Sequence, residues 1–269
     1  MPTTYAHYKY GQDVLAGLPK EYQDLINKNK TLYDIGLHGP DILFYSNPLR
    51  KLSRMGSDIH YTPGKDFFNM GKTVIENAES QEEREAELAY LLGYICHHTL
   101  DSIDHPYVQK FIDVTGVLHF EIEMELDRDL LIKEGKDPLG FNPTSHLILT
   151  EKVTETISKF YIGLRPSDIK TTLTIMKIFL NEIRKPNPTL RKIIFPLIGE
   201  KAQGLFMSFT PNPKCDRSTE VLEKHMFDAV PIAQQTIKEY IDFLDGRANL
   251  PERFDLTFEH GKDWKDLKV

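Results

Sequence analysis

Cysteine is scarce in this chain: Cys96 and Cys215 are the only two among 269 residues. Two thiols cannot build a disulfide framework, and their scarcity suits a reducing compartment. No apolar run reaches the roughly 20 residues that a membrane-spanning helix needs. The opening stretch, MPTTYAHYKYGQDVL, lacks a basic segment followed by an apolar one, so no secretory signal is expected and the expected location is cytoplasmic. Basic excess is lacking too. The formal net charge is −7, which argues against a stable nucleic-acid complex, where affinity rests on neutralising phosphates. Hydrolysis of phosphate esters is not excluded, because bound divalent cations would reverse the sign of a local site. Internal repeats, low-complexity tracts and recurrent strand–turn patterns are absent. GKDPLG at 135–140 lacks the spacing of a phosphate-cradling glycine loop and reads as a turn.

What is present is helical patterning. The expected class is all-α, a multi-helix single domain over residues 1–269, long enough to bury a core without covalent staples. Residues 80–100 open on a serine cap and an acidic turn, with Glu82–Glu87 as the solvated start of a helix that then becomes apolar. Residues 150–163 and 168–184 form two amphipathic helices parted at Pro166 and Ser167, and 218–245 forms another. Proline-rich breaks fall at 186–188 and 211–213. VLHFEIEMELDRDLL, residues 117–131, alternates apolar and polar like a strand. Yet Leu118, Ile122, Leu126 and Leu130 recur every four residues, and Leu, Met and Glu favour helices. A helix is expected there.

The segment CHHTLDSIDHPY, residues 96–107, sets His97, Asp101 and His105 four apart before Pro106, where the helix is expected to stop. Residues four apart share a helix face. This stripe is therefore polar, and it is either exposed or coordinating. Its three members span about 12 Å of helix axis, too far for one ion with ~2 Å bonds. A coordinating stripe would serve more than one ion, with Asp101 able to bridge. His119 and Glu123 repeat the spacing on the next helix, and His7 (TTYAHYKYG), Asp41 (GPDILFY) and His60 (SDIHYTPGKDFF) add further donors. Imidazole and carboxylate suit zinc, and no thiolate is required.

The run GYICHHTLDSIDHPYV followed by HFEIE, with GPDILFY and the upstream histidines, resembles the zinc-dependent phospholipase C family. That helical fold, with three zinc ions, is shared by secreted bacterial phospholipases C and, more distantly, by S1/P1-type nucleases. The likeness covers roughly residues 3–130, and 131–269 is a helical remainder of the same domain. The resemblance implies two to three zinc ions. Asp41, His60, His97 and Asp101 would hold one, and His105, His119 and Glu123 a second. His7 and Asp101 would hold a third, completed in secreted members by the amine and carbonyl of the mature N-terminal residue. Here only six residues precede His7, and Ile42 stands where secreted members carry an aromatic residue.

The activity implied is phosphoric diester hydrolysis of phospholipase C type. A hydroxide bridging the zincs would attack phosphorus, with Asp41 as ligand and base, on a phosphoester substrate that includes phospholipid. A nuclease or small-phosphoester hydrolase on the same site stays open, as does a non-catalytic metal-binding protein. The remaining candidates have plainer readings. His98 is a satisfied, partly buried histidine, Cys96 a small core residue, and His38 structural; His146, His225 and His260 are surface residues. Phe67, Phe68 and the LFMSF stretch at 205–209 belong to the core, and RKPNPTLRK at 184–192 is a solvated connection.

Overall fold

A computed structural model of the chain describes residues 4–46, 52–183, 185, 187–197, 203–259 and 262–267. Among these residues there is no strand, and the class is all-α. The helices are α1 (Thr4–Ala16), α2 (Lys20–Lys28), α3 (Lys30–Gly36), α4 (Leu52–Tyr61), α5 (Gly64–Glu76), α6 (Gln81–Thr115) and α7 (His119–Lys133). They continue with α8 (Glu151–Ser158), α9 (Pro166–Ile178), α10 (Pro188–Ile194) and α11 (Asp216–Leu244). A 3-10 helix, Gly39–Tyr45, links α3 to α4, and a wider π turn, Phe179–Ile183, prolongs α9. The helix expected over 117–131 is α7, and that expected over 218–245 is α11. The one expected over 150–163 is α8, which ends at Ser158, and the one expected over 168–184 is α9, which takes Pro166 and Ser167 as its first turn because proline fits that position.

Helix α6 is the axis of the molecule. Ser80 caps it by accepting from the Glu83 amide, and Gly116, at φ 71°, ends it in the left-handed conformation. Every residue from Ala86 to Asp101 is buried, and α1, α3, α5 and α11 pack around the stretch. Glycine permits the closest approach. A Cβ on Gly93 would collide with the Tyr33 carbonyl, and one on Gly36 with the Tyr90 carbonyl, so α3 lies backbone against backbone on α6. One continuous apolar cluster runs from Tyr5 to Phe258 and joins these helices.

Two sequence expectations about α6 are corrected. The helix does not stop at Pro106 but continues to Thr115. An interior proline costs about 3 kcal/mol. Tyr107, Val108 and Phe111 beyond it are all buried, and burying each such side chain returns about 1.5–3 kcal/mol. Packing wins over local propensity. Second, the acidic start is not solvated throughout, because Glu87 is fully buried and pairs with Lys159 at 2.8 Å.

Of the stretch 205–209, Phe206 and Met207 are core as expected, whereas Phe209 is exposed. Phe67 and Phe68 are buried as expected, and Lys136–Gly140 is a turn region after α7. No helix among the described residues is long and apolar enough to cross a membrane.

Candidate metal centre

The polar stripe of α6 faces inward. His97, Asp101 and His105 meet His7 from α1, Asp41 from the 3-10 helix, His60 from α4, and His119 and Glu123 from α7. Seven of these side chains belong to residues no more than 4% exposed; His119 alone is partly open, with 26% of its side chain exposed. So many polar groups rarely leave water together unless something compensates them.

Asp101 sits at the middle. Its Oδ1 lies 3.1 Å from Nε2 of His7 and 3.9 Å from Nε2 of His105. Its Oδ2 lies 3.1 Å from Nε2 of His97 and 3.9 Å from Nε2 of His60. His60 Nε2 is 2.9 Å from Asp41 Oδ1, and His119 Nε2 is 2.8 Å from Glu123 Oε1. Three groups have donor atoms within 4.8 Å of one another: His7/His97/Asp101, Asp41/His60/His97 and His105/His119/Glu123. The third matches a set implied by the resemblance. In the other two, His97 is the shared member, and Asp101 gathers with His7. Met1–Thr3 lie outside the described residues, and with them the terminal amine expected at the third site.

The local backbone explains how each ring is aimed. Nδ1 of His60 donates to the Gly56 carbonyl at 2.7 Å, Nδ1 of His97 to the Leu37 carbonyl at 3.2 Å, and Nδ1 of His105 to the Phe258 carbonyl at 2.6 Å. Each bond fixes the ring and leaves Nε2 for the interior, which is how histidines that bind metal are usually held. Gly39 makes room for the His97 ring. It has φ +48°, and a Cβ there would overlap the imidazole. His7 is placed by Asp127, whose buried carboxylate accepts from the Tyr5 and Ala6 amides at 3.3 and 2.9 Å and so caps α1.

Electrostatics bind the cluster together. Burial raises the Asp101 carboxyl, but the neighbouring His97 and His105 imidazoles, and the close approach of His7, bring it well below the usual range. For Glu123 burial is likewise outweighed, by His119 and His105, leaving it at about 2. Burial lowers His105, yet Asp101, Glu123 and Glu259 carry it up to about 10. His97, enclosed most deeply, is lowered by burial. The carboxylates therefore stay ionised and hold protons on nearby imidazoles unless another cation takes their place.

Zinc fits these residues. Nε2 of His60, Nε2 of His97 and Oδ2 of Asp101 are buried beside one another, yet their approaches lack hydrogen-bond alignment. Oε2 of Glu123 and Nδ1 of His7 are likewise buried without hydrogen-bond partners. Such atoms cost on the order of 1–3 kcal/mol each when left unsatisfied. An ion with nitrogen and oxygen ligands would satisfy them.

Several partners of the centre carry no sequence signal. The segment after α11 returns to α6: the Phe258 and Glu259 amides donate to the His60 carbonyl, and Nε2 of His98 donates to the Leu256 carbonyl at 3.1 Å. Phe258 is fully buried and its ring packs on His60, His97 and His98. His98 is fully rather than partly buried. Two expected surface histidines are corrected. Nδ1 of the half-buried His225 pairs with Asp104 Oδ1 at 3.0 Å, and the half-buried His146 stacks on Tyr8 and meets His38 at 2.8 Å between Nε2 atoms. His260 lies outside the described residues. Cys96 is core, 3.4 Å from the Tyr33 hydroxyl.

No curated protein and no solved structure matches the chain. The model of one family, described as zinc dependent phospholipase C, matches residues 6–166, more than half of the chain and all eight residues of the cluster. With that match, the chain belongs to the zinc-dependent phospholipase C family.

Proposed function

We propose that this protein is a zinc-dependent phosphoric diester hydrolase of phospholipase C type, with His7, Asp41, His60, His97, Asp101, His105, His119 and Glu123 as its metal ligands. The observation that carries this reading is the burial of seven of those side chains around Asp101, with ligand-type atoms of His60, His97, Asp101 and Glu123 lacking hydrogen bonds. Bound zinc would supply a water acidified to near neutral pH as the nucleophile, together with positive charge against the phosphate oxygens.

The rest falls to the chain. Asp101, with one oxygen toward His7 and His105 and the other toward His97 and His60, would tie the ion sites together. Asp41, held ionised beside His60, would take the proton from the attacking water. Leu37, Gly56 and Phe258 hold the imidazoles in orientation through their carbonyls. The partly exposed His119 marks the side from which a phosphodiester would enter. A set of three protein ligands there leaves a coordination position for water or substrate, as catalytic zinc sites do.

The test combines elemental analysis with a substrate panel: phosphatidylcholine, other phospholipids, a p-nitrophenyl phosphodiester and single-stranded DNA. Zinc-loaded protein should hydrolyse phospholipid and the synthetic diester in preference to DNA, and chelation should abolish both. Protein that carries no transition metal after zinc-supplemented expression would overturn the proposal. Preference for DNA would replace the phospholipase reading by a nuclease on the same residues.

A further inference from the structure

Among the described α-helices α10 alone has no buried residue. It is nevertheless apolar at its end. Ile193 to Leu197, IIFPL, is a contiguous run, with Ile193 61% and Leu197 81% exposed and none of the five buried. Phe209, 48% exposed, lies against the same element: Arg191 spans the Phe195 and Phe209 rings and donates to the Met207 carbonyl. Exposed apolar surface gathered in one place marks an interaction face more than scattered single residues do.

Charge says what that face meets. The chain is acidic overall, at −7, but RKPNPTLRK at 184–192 holds four cations and no carboxylate; Lys185 lies 4.0 Å from Glu182, whereas Lys192 is exposed beside Ile193. Cations beside exposed Ile, Leu and Phe on a short helix are the composition of an element lying in a membrane interface. An acidic protein partner would use the charge but leave Ile193 and Leu197 without a purpose. Position agrees. Phe195 packs on Phe206 at 5.2 Å, and Gly204 lies against Phe120 and Glu121, next to His119, the open side of the centre.

We infer that α10 and the Phe195–Leu197 turn, with Phe209, form the face by which this protein docks on an anionic phospholipid surface. The inference rests on the phospholipid reading for its choice of partner. Lys192 attracts lipid headgroups, Ile193, Leu197 and Phe209 enter the interface, and Arg191 holds the two segments together.

The experiment is co-sedimentation of the zinc-loaded full chain with vesicles of phosphatidylcholine, with and without phosphatidylglycerol, on ice and before hydrolysis proceeds. Turnover of the soluble p-nitrophenyl phosphodiester is measured in parallel. Wild type should bind the anionic vesicles more tightly, and added salt should weaken binding. Ile193→Asp with Leu197→Asp should reduce binding at least tenfold and leave soluble turnover unchanged. Ile132→Asp, at an exposed apolar residue on α7, should bind as wild type does.

Wild type that ignores vesicles, or a double variant that binds them equally, overturns the docking face. Vesicle binding that the double variant keeps but Lys192→Glu loses would also overturn it, leaving attraction by charge alone with no apolar insertion. A chain that docks through this face yet hydrolyses no phospholipid would sustain the docking face and sink the phospholipid reading.

Discussion

The carbonyl of Phe258 accepts a 2.6 Å hydrogen bond from Nδ1 of His105, across 153 positions of sequence. The two amides of Phe258 and Glu259 hold the His60 carbonyl, so the same short segment touches two candidate ligands from different helices. It lies beyond the family match over residues 6–166. Phe258→Ala keeps the carbonyl but removes the ring that seats it on His60, His97 and His98. Truncating a buried phenylalanine costs about 3–5 kcal/mol. Where the partner of a ligating histidine is disturbed, metal affinity falls by roughly 10–100-fold. Denaturant unfolding and competition with a zinc chelator should therefore both register the change. An affinity like wild type in a well-folded variant would show that the segment only covers the centre.

Asp101 predicts a different outcome. Its oxygens face different histidines, whereas Glu123 meets only His105 and His119. Asp101→Asn should lower the occupancy of more than one zinc per chain, and Glu123→Gln chiefly one. Elemental analysis on the two variants separates the cases. Loss of the same single zinc from both would show that Asp101 does not bridge.

Much of the centre was legible because metal-competent side chains are rare, specific and spaced by the helix period. His97, Asp101 and His105 announce one inward face, and His119 with Glu123 announces a second. The aiming of those side chains was not legible. Leu37, Gly56 and Phe258 act through carbonyls that any residue possesses, and Asp127 reads as one more acidic residue on α7. Helix class and most element positions followed from apolar periodicity. The misreadings came where tertiary packing overrides a local rule, as at Pro106 and Glu87. The exposed end of α10 carries no sequence signal, since an apolar run such as IIFPL is as common in a core as on a surface, and only the fold shows Ile193 and Leu197 exposed.

Asp127 gives the third prediction. Its carboxylate is fully buried and satisfies two amides at the start of α1, two residues ahead of His7 at most. Asp127→Ala strips that cap and leaves the amides buried, at a cost of about 1–3 kcal/mol. His7 should then be poorly held, and the zinc fraction that depends on it should fall. Urea denaturation of the metal-free protein isolates the capping loss, and zinc titration reads the effect on the centre. Unchanged stability in the metal-free protein would remove Asp127 from this role.

The last prediction concerns pH and lies outside the metal centre. Glu87 is fully buried on α6, with Oε2 lacking a hydrogen-bond partner and Lys159 near its other oxygen. Burial raises its carboxyl above the usual 4.5, and Lys159 only partly offsets this. The unfolded chain therefore gives up this proton first as pH rises. Between the unfolded and folded values the native state binds more protons, so stability falls with rising pH. Above both values the penalty is constant. Glu87→Gln, which cannot ionise, should be more stable than wild type at pH 7, and the difference should close below about pH 4 as Glu87 becomes neutral in both states. Chemical denaturation of metal-free protein at pH 4 and pH 7 checks this. A glutamine variant less stable at pH 7 would mean that the Lys159 pair outweighs burial.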